Sequence, residues 1–409
     1  MLGVGKLKEQ YTIGFGKAAM TFSDTLPMGN YTRAATPLQV RCITIVGPTK
    51  MLLLSMEMTS LPNQAVAKLR KIAAQEADIG FQNIWVTVTH SFSSPHLPQE
   101  SSVDTHRYTV LWDKMVTAVT EAIRQAMTNQ QAFTMGRSKI SCPLNVYRNV
   151  QTPDGWWLGA NFAGYSNHDL RVLTFKQASG HLGLIYNYDI QSSVFDHLTD
   201  DDGQLWIDDD LVGHGSANFE DRHPGSVAIF IPGAAGDQRP LLMGDNTKSF
   251  AENQYLCRKQ ADVLDTCIEQ AQQMINKWVP LQMLTRYRQE CRVAQKAEVV
   301  NTFEIKPTRK FVFEATGQRL SVGIDAWQFN QWLLVGTQPE LNSEFGDACR
   351  YLLPDKSAMI GTMVNGALKY LPDSRDFQRI TYQAMNSFIG QGADKDFQAA
   401  IQQLCRRNE

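Results

Sequence analysis

The feature that most constrains this chain is a repeated change of hydrophobic period within its first third. Residues 41–58 (RCITIVGPTKMLLLSMEM) are two apolar runs around Gly47-Pro48, which predicts two strands and a turn. Residues 63–75 then place Val66, Leu69, Ile72 and Ala73 at helical spacing. Residues 83–89 (NIWVTVT) predict a short strand ending at His90, and residues 106–127 a second amphipathic helix with Leu111, Met115, Val119, Ala122, Ile123 and Ala126 on one side. Strands and helices in alternation bury each other's apolar faces, so the expected class is α/β, with layered mixed β-sheets flanked by helices.

Later segments continue the pattern. Residues 139–150, 172–176, 182–188 and 226–231 read as strands, and 254–278 as a long helix. Residues 298–305, 310–313 and 332–335 look strand-like, and 340–352, 373–388 and 394–405 look helical. No repeat or low-complexity linker offers a boundary, so residues 1–409 are expected to form a single domain. A charged fraction of 20% against 43% hydrophobic excludes a disordered chain. A net charge of -2 gives no basic field, so no nucleic-acid partner is expected. The seven cysteines are dispersed without CxxC spacing, which argues against a disulfide framework or a Cys-type zinc module. Residues 1–6 lack the apolar core of a signal peptide, and no apolar run nears the ~20 residues of a membrane span. A cytoplasmic protein with no transmembrane segment is the expectation.

Three of the eight histidines, His90, His96 and His106, lie close together in sequence. His90 follows a strand and opens the loop Ser91-Phe92-Ser93-Ser94-Pro95-His96. Imidazole there can bind a metal or transfer protons, or simply hydrogen-bond the backbone. Residues 229–240 (IFIPGAAGDQRP) run from a strand into a Gly/Ala turn carrying Asp237 and Arg239. Its backbone N–H groups could bind an oxyanion, or the turn could display an Asp-Arg surface pair. Pro339-Glu340 precedes a helical pattern, where a Glu complements the helix dipole. The acidic runs at 200–202 and 208–210 read as a solvated loop, since they lack the Gly and distal Glu of a calcium-binding EF-hand. Cys142 reads as a buried thiol, and Trp156-Trp157 as either a ligand entrance or packing. Phosphate-loop, GxSxG and HExxH motifs are absent.

In this order, the segments resemble the neutral (non-lysosomal) ceramidase superfamily. Thr87-Val88-Thr89-His90-Ser91-Phe92-Ser93-Ser94-Pro95 is similar to the family's Thr-His-Thr-His-Ser-Gly-Pro motif. Residues 233–240 resemble its Gly-Asp-x-Ser-Pro turn, and Pro339-Glu340 its Pro-Gly-Glu segment. Residues 365–372 (NGALKYLP) resemble Asn-x-Tyr-x-x-Tyr-(Leu/Val)-Pro, Tyr382 falls at the family's Tyr-Glu pair, and residues 13–18 with 28–31 resemble its opening strand. The likeness runs from about residue 11 to about residue 390 and covers the catalytic domain only, without the immunoglobulin-like C-terminal domain.

The resemblance implies hydrolysis of an N-acyl amide with one zinc ion held by two His, a Glu and a Tyr. Residue by residue, it implies His90, Glu340 and Tyr370 as metal ligands. The second His falls at Gln191, the first His of the motif at Val88, and the Ser of the turn at Arg239. Gln is a poorer zinc ligand than imidazole. The leading expectation is therefore a ceramidase-like hydrolase of an amide or related acyl bond, using metal-activated water. Asp237 or His96 would assist, and Arg239 would bind charge. The substrate would be a small or lipid-like acyl amide. A metal-free binding or scaffold protein that retains the fold is the alternative, and an acyltransferase a third reading.

Overall fold

Alternation along two adjacent strands, Leu38–Val46 and Met51–Met56, sends side chains into two different cores. Val40, Cys42, Leu52 and Leu54 face helices, whereas Ile43, Ile45, Met51 and Leu53 face a second sheet. The computed structural model describes residues 11–100, 104–200, 202–299 and 301–404. Residues 1–6, Asp201 and Cys405, each used in the sequence reading, lie outside the described residues.

The larger sheet has eight strands in the order Val227–Pro232, Leu182–Tyr188, Asp169–Gln177, Gln131–Ser141, Thr12–Met20, Leu38–Val46, Met51–Met56, Ile84–Val88. The pair at each edge is parallel and every pairing between them is antiparallel. The edges also approach each other: Ser55 Oγ donates to the Phe230 carbonyl at 3.1 Å. The C-terminal ends of the two edge strands, which lead to His90 and to the Gly233 turn, are thereby gathered at one end of the sheet.

One face of this sheet is covered by the helices Asn63–Ala77 and Thr105–Thr128, through residues such as Leu69, Met115 and Val119. The second of these packs on Gly14 and Gly16, where an added Cβ would lie 1.8 and 1.9 Å from helix carbonyls. Larger residues would push that helix off the sheet. The helices Asp210–Arg222 and Phe250–Gln273 cover Leu184, Tyr186 and Phe230 with Val212, Leu264 and Ile268. The other face packs against a four-stranded sheet: Leu284–Lys296, Ala315–Phe329, Trp332–Thr337 and Met359–Gly361. Trp327, Phe329 and Leu334 interdigitate there with Ile43, Leu53 and Phe175. The outer face of the smaller sheet (Val322, Ile324, Val335) is covered by the helices Ser343–Leu352 and Ala393–Gln403, through Phe345, Cys349 and Phe397. The architecture is a helix–sheet–sheet–helix sandwich, an α/β arrangement of mixed sheets flanked by helices.

Several expected elements differ. The 139–150 run breaks at 142–144, around Pro143, into two strands of different sheets. Residues 298–305 contain the 3-10 turn Thr302–Glu304 and residues 310–313 no strand; the long hairpin lies on either side of them. The 373–388 helix is split by Ile380, at φ 55°, into Ser374–Arg379 and Tyr382–Met385. Glu340 belongs to a two-residue strand ahead of the helix. Asp208–Asp210 are not a solvated loop: all three are buried, and Asp210 opens a helix. Among the described residues, no helix is long and apolar enough to cross a membrane.

Candidate functional site

His90 is held in a left-handed conformation, φ 60°, directly after the edge strand Ile84–Val88. Such a backbone costs about 1–2 kcal/mol for a residue with a Cβ and persists only where its surroundings fix it. Here the carbonyl of Thr59 lies 2.7 Å from His90 Nδ1, and the Ser91 N–H reaches the carbonyl of Met58. Nδ1 therefore carries the proton that meets Thr59, and Nε2 points at Glu340, 3.5 Å from Oε2. Burial opposes charge on this imidazole, but Glu340 outweighs it and the His90 pKa is raised. Burial likewise opposes ionisation of Glu340, yet His90, Arg148 and Gln191 hold its pKa below the ordinary value.

Glu340 and Tyr370 are adjacent because Glu340–Leu341 pairs in parallel with Tyr370–Leu371, residue for residue. Gln191 follows the strand Leu182–Tyr188 and works as an adaptor: its Nε2 donates to Glu340 Oε2 at 2.9 Å, and its Oε1 accepts from Arg148 Nη1 at 3.1 Å. The Arg148 guanidinium sits at the centre of the cluster. Its Nη2 donates to the Gly236 carbonyl at 2.6 Å and the Tyr370 hydroxyl at 3.1 Å. It also lies over the rings of Tyr370 and Tyr382, 5.7 and 5.9 Å from their centroids. Two buried nitrogens of this cluster, Arg148 Nε and His90 Nε2, have no hydrogen-bond partner. The solvent reaches it narrowly, with His90 6%, Glu340 7% and Tyr370 8% exposed.

The Gly233–Asp237 turn does not present a row of unused N–H groups. Gly233 N donates to Tyr188, Ala235 N to Gly233, Gly236 N to Leu341, and Ala234 N to the Asp189 carboxylate. The turn's contribution is the Gly236 carbonyl that receives Arg148. Its small residues are needed, since a Cβ on Gly233 would lie 2.2 Å from Asp189 Oδ1. Asp189, which also accepts from Ser343 Oγ, is thereby tied to the turn. Asp237 Oδ1 accepts from Ser343 N and Gln238 Nε2, each at 2.9 Å, and burial pushes its pKa up to about 7.

The structure thus brings together His90, Glu340 and Tyr370, and places Asp237 behind them. Arg239 is half-buried and donates to the Gly159 carbonyl at 3.3 Å, with no hydrogen bond to the cluster. His96 is exposed to solvent where two cavities of about 460 and 750 Å³ meet; crowding of its ring by the cavity walls, which strips part of its water, and the charge of His90 lower its pKa. Phe92, edge-on to His90 with ring centroids 4.7 Å apart, also lines the smaller cavity, together with Phe195, Leu198, Trp206 and Phe250. Trp157 is half-buried and packs edge-on against Tyr382, and Cys142 is buried. Arg148 escaped the sequence reading. A charged residue inside a β-rich run was its one signal, and strand alternation alone does not distinguish an inward arginine from a solvated one.

The zinc site implied by the resemblance can be tested against these donors. A hydrolytic zinc takes about three protein ligands and keeps one open position. His90 and Glu340 qualify as two. Tyr370 already accepts from Arg148, and burial raises its pKa, which disfavours the phenolate a metal would bind. A fixed guanidinium among the donors repels a second cation. The residues do not fit a three-ligand zinc site. Among the described residues, the cluster of His, Asp or Glu whose donor atoms do lie within 4.8 Å of one another is a different one, Asp208, Asp209 and His214.

The fold itself is that of neutral ceramidase. The chain matches the crystal structure of neutral ceramidase from Pseudomonas aeruginosa with a TM-score of 0.76 and 16% identity, over 97% of this chain and 74% of that one. A ceramidase complexed with C2 matches with a TM-score of 0.76 and 15% identity, over 97% and 75%. No protein-family model matches the chain, and no curated protein matches it by sequence. Identity this low carries the architecture, and the chemistry has to be argued from the site.

Proposed function

We propose that this chain uses the Arg148 cluster to bind the carbonyl or carboxylate end of a lipid-like acyl amide, or of the acid derived from it, without zinc at His90, Glu340 and Tyr370. The observation that carries this reading is the buried, unpartnered Nε of Arg148, beside a His90 ring whose Nε2 meets only Glu340, at 3.5 Å. A buried donor left unmade costs about 1–3 kcal/mol, and an incoming oxygen would satisfy it. Arg148 is permanently charged and Glu340 raises the His90 pKa, so positive charge is favoured around a single anion, Glu340. The cavity that Phe92 lines has apolar walls for the hydrocarbon part of such an amphiphile in Phe195, Leu198, Trp206 and Phe250, alongside the polar Arg107, Asp196 and Asp208. The ceramidase fold supports an acyl compound over other oxygen-bearing ligands.

Amide hydrolysis by metal-activated water is the second reading, favoured by the approach of His90 to Glu340. Calorimetry with a fatty acid, an N-acyl amide and a long-chain amine separates the two. The proposal expects the first two to bind, the amine not to bind, and Arg148→Met to abolish binding. Zinc-dependent release of fatty acid that is lost in His90→Ala would replace it with the hydrolase.

A further inference from the structure

We propose that Asp208, Asp209 and His214 form a binding site for a divalent transition-metal ion, separate from the Arg148 cluster. His214 Nε2 lies 3.1 Å from Asp208 Oδ1 and 3.2 Å from Asp209 Oδ1. One donor atom from each of the three side chains falls within 4.8 Å of the others. An acidic run at a helix start usually does no more than complement the helix dipole. An independent observation separates this one: Asp208 is 1% exposed, and its Oδ2 has no hydrogen-bond partner. A carboxylate oxygen removed from water and given no donor is strongly disfavoured, and a cation is the partner that completes it.

The surrounding charges do not supply that partner. Asp210 is closed by the N–H groups of Val194, Phe195 and Leu211. Glu57 and Glu220 share Arg41, and Glu220 also takes Lys17. Asp208 and Asp209 are left with a single imidazole as counter-charge; beyond it, Asp208 Oδ1 accepts from Asp210 N and Asp209 Oδ1 from the Thr36 hydroxyl, and Asp208 Oδ2 from nothing. A metal ion would lie between these donors, with neutral His214 offering Nε2 and two carboxylates matching a divalent charge. Mixed carboxylate and imidazole donors suit zinc, manganese, iron, cobalt or nickel better than magnesium or calcium. Asp208 also lies in the lining of the 460 Å³ cavity, where water could complete the coordination.

The test is titration of the chelator-stripped 409-residue chain with Co²⁺ and then Zn²⁺ as sole probes, near neutral pH. The expected result is one equivalent bound, with visible cobalt absorption that zinc displaces. Asp208→Asn should weaken binding by at least about 100-fold, since even a residue that only orients a ligand is worth about 10–100-fold, and His90→Ala should leave it unchanged. Should Asp208→Asn fold poorly, His214→Gln serves as the second variant. Absence of binding at micromolar metal overturns the proposal. So does binding that His90→Ala abolishes and the Asp208 and His214 variants do not.

Discussion

Two buried polar clusters are tied to the same loop, residues 90–96, and they carry opposite charge. In one, Arg148 and His90 face a single carboxylate, Glu340, and the unpartnered atoms are nitrogens. In the other, Asp208 and Asp209 face a single imidazole, and the unpartnered atom is an oxygen. Ser91 and Ser93 of the loop donate to the carbonyls of Asp209 and Asp208 at 3.2 and 2.9 Å, so the loop that carries His90 rests on the acidic cluster. Each cluster also adjoins a left-handed residue, His90 at φ 60° or Asp210 at φ 56°. The contrast teaches that in a dry interior the leftover charge selects the ligand: an oxygen-bearing acyl group for the first, a metal cation for the second.

The largest expected effect comes from removing the centre of the first cluster. Arg148→Met leaves Glu340 with His90 and Gln191, leaves the Gly236 carbonyl with Gln383 alone, and removes the donor to Tyr370. Breaking a buried charged network typically costs about 3–5 kcal/mol, to be read from urea unfolding. A loss under about 1 kcal/mol, the range of an exposed pair, would break the comparison, because Arg148 would then not be the cation around which the cluster is built.

A second variant sharpens it through pH. Asp237 lies beneath the first cluster, and burial raises its folded pKa to about 7, above the unfolded carboxyl value of about 3.9. The folded state therefore binds the extra proton. That contribution is fully present below pH ~4 and is lost as pH rises through ~7, at no more than about 1.4 kcal/mol per pH unit. Asp237→Asn mimics the protonated form and keeps an oxygen for Ser343 N and Gln238. Its unfolding free energy should exceed that of the wild type by up to about 4 kcal/mol at pH 8 and converge with it near pH 4. Parallel profiles would show that Asp237 ionises without penalty.

The first cluster was half legible in the sequence, and the second was misread. His90 and the Gly233–Asp237 turn stand at strand ends, where punctuation by Ser, Pro and Gly marks where the chain leaves the sheet. Arg148 has no such marker, and its position depends on three partners far away in the chain: Gln191, Gly236 and Tyr370. Sequence predicts Asp208–Asp210 as solvated because charge normally seeks water; Asp210 is instead held by backbone donors from residues 194, 195 and 211, and Asp208 and Asp209 lie against His214, none of which spacing reveals. The layered fold was legible from strand and helix periods at the start of the chain. The 284–329 hairpin was not, because much of its outer half is exposed and polar and lacks a clear apolar alternation.

The smallest predicted effects decide the comparison by sign. Glu340→Gln removes the charge of the first cluster's one anion but keeps a side-chain oxygen beside His90 and Gln191, so it should destabilise by about 2 kcal/mol, the worth of a charge-assisted hydrogen bond. Asp209→Asn removes one of two carboxylates that share His214 and keeps an oxygen for the Thr36 hydroxyl. Burial, eased only in part by His214, pushes the Asp209 pKa well up, so its ionised form is the costly one. In chelator, near neutral pH, Asp209→Asn should therefore stabilise the metal-free chain by about 1 kcal/mol, measured by denaturant unfolding. With saturating metal the sign should reverse, because the wild type then gains binding free energy that the variant lacks. If Asp209→Asn destabilises in chelator as Glu340→Gln does, His214 already satisfies both carboxylates. The acidic cluster is then a closed ion triad, with no charge left over for a metal to meet.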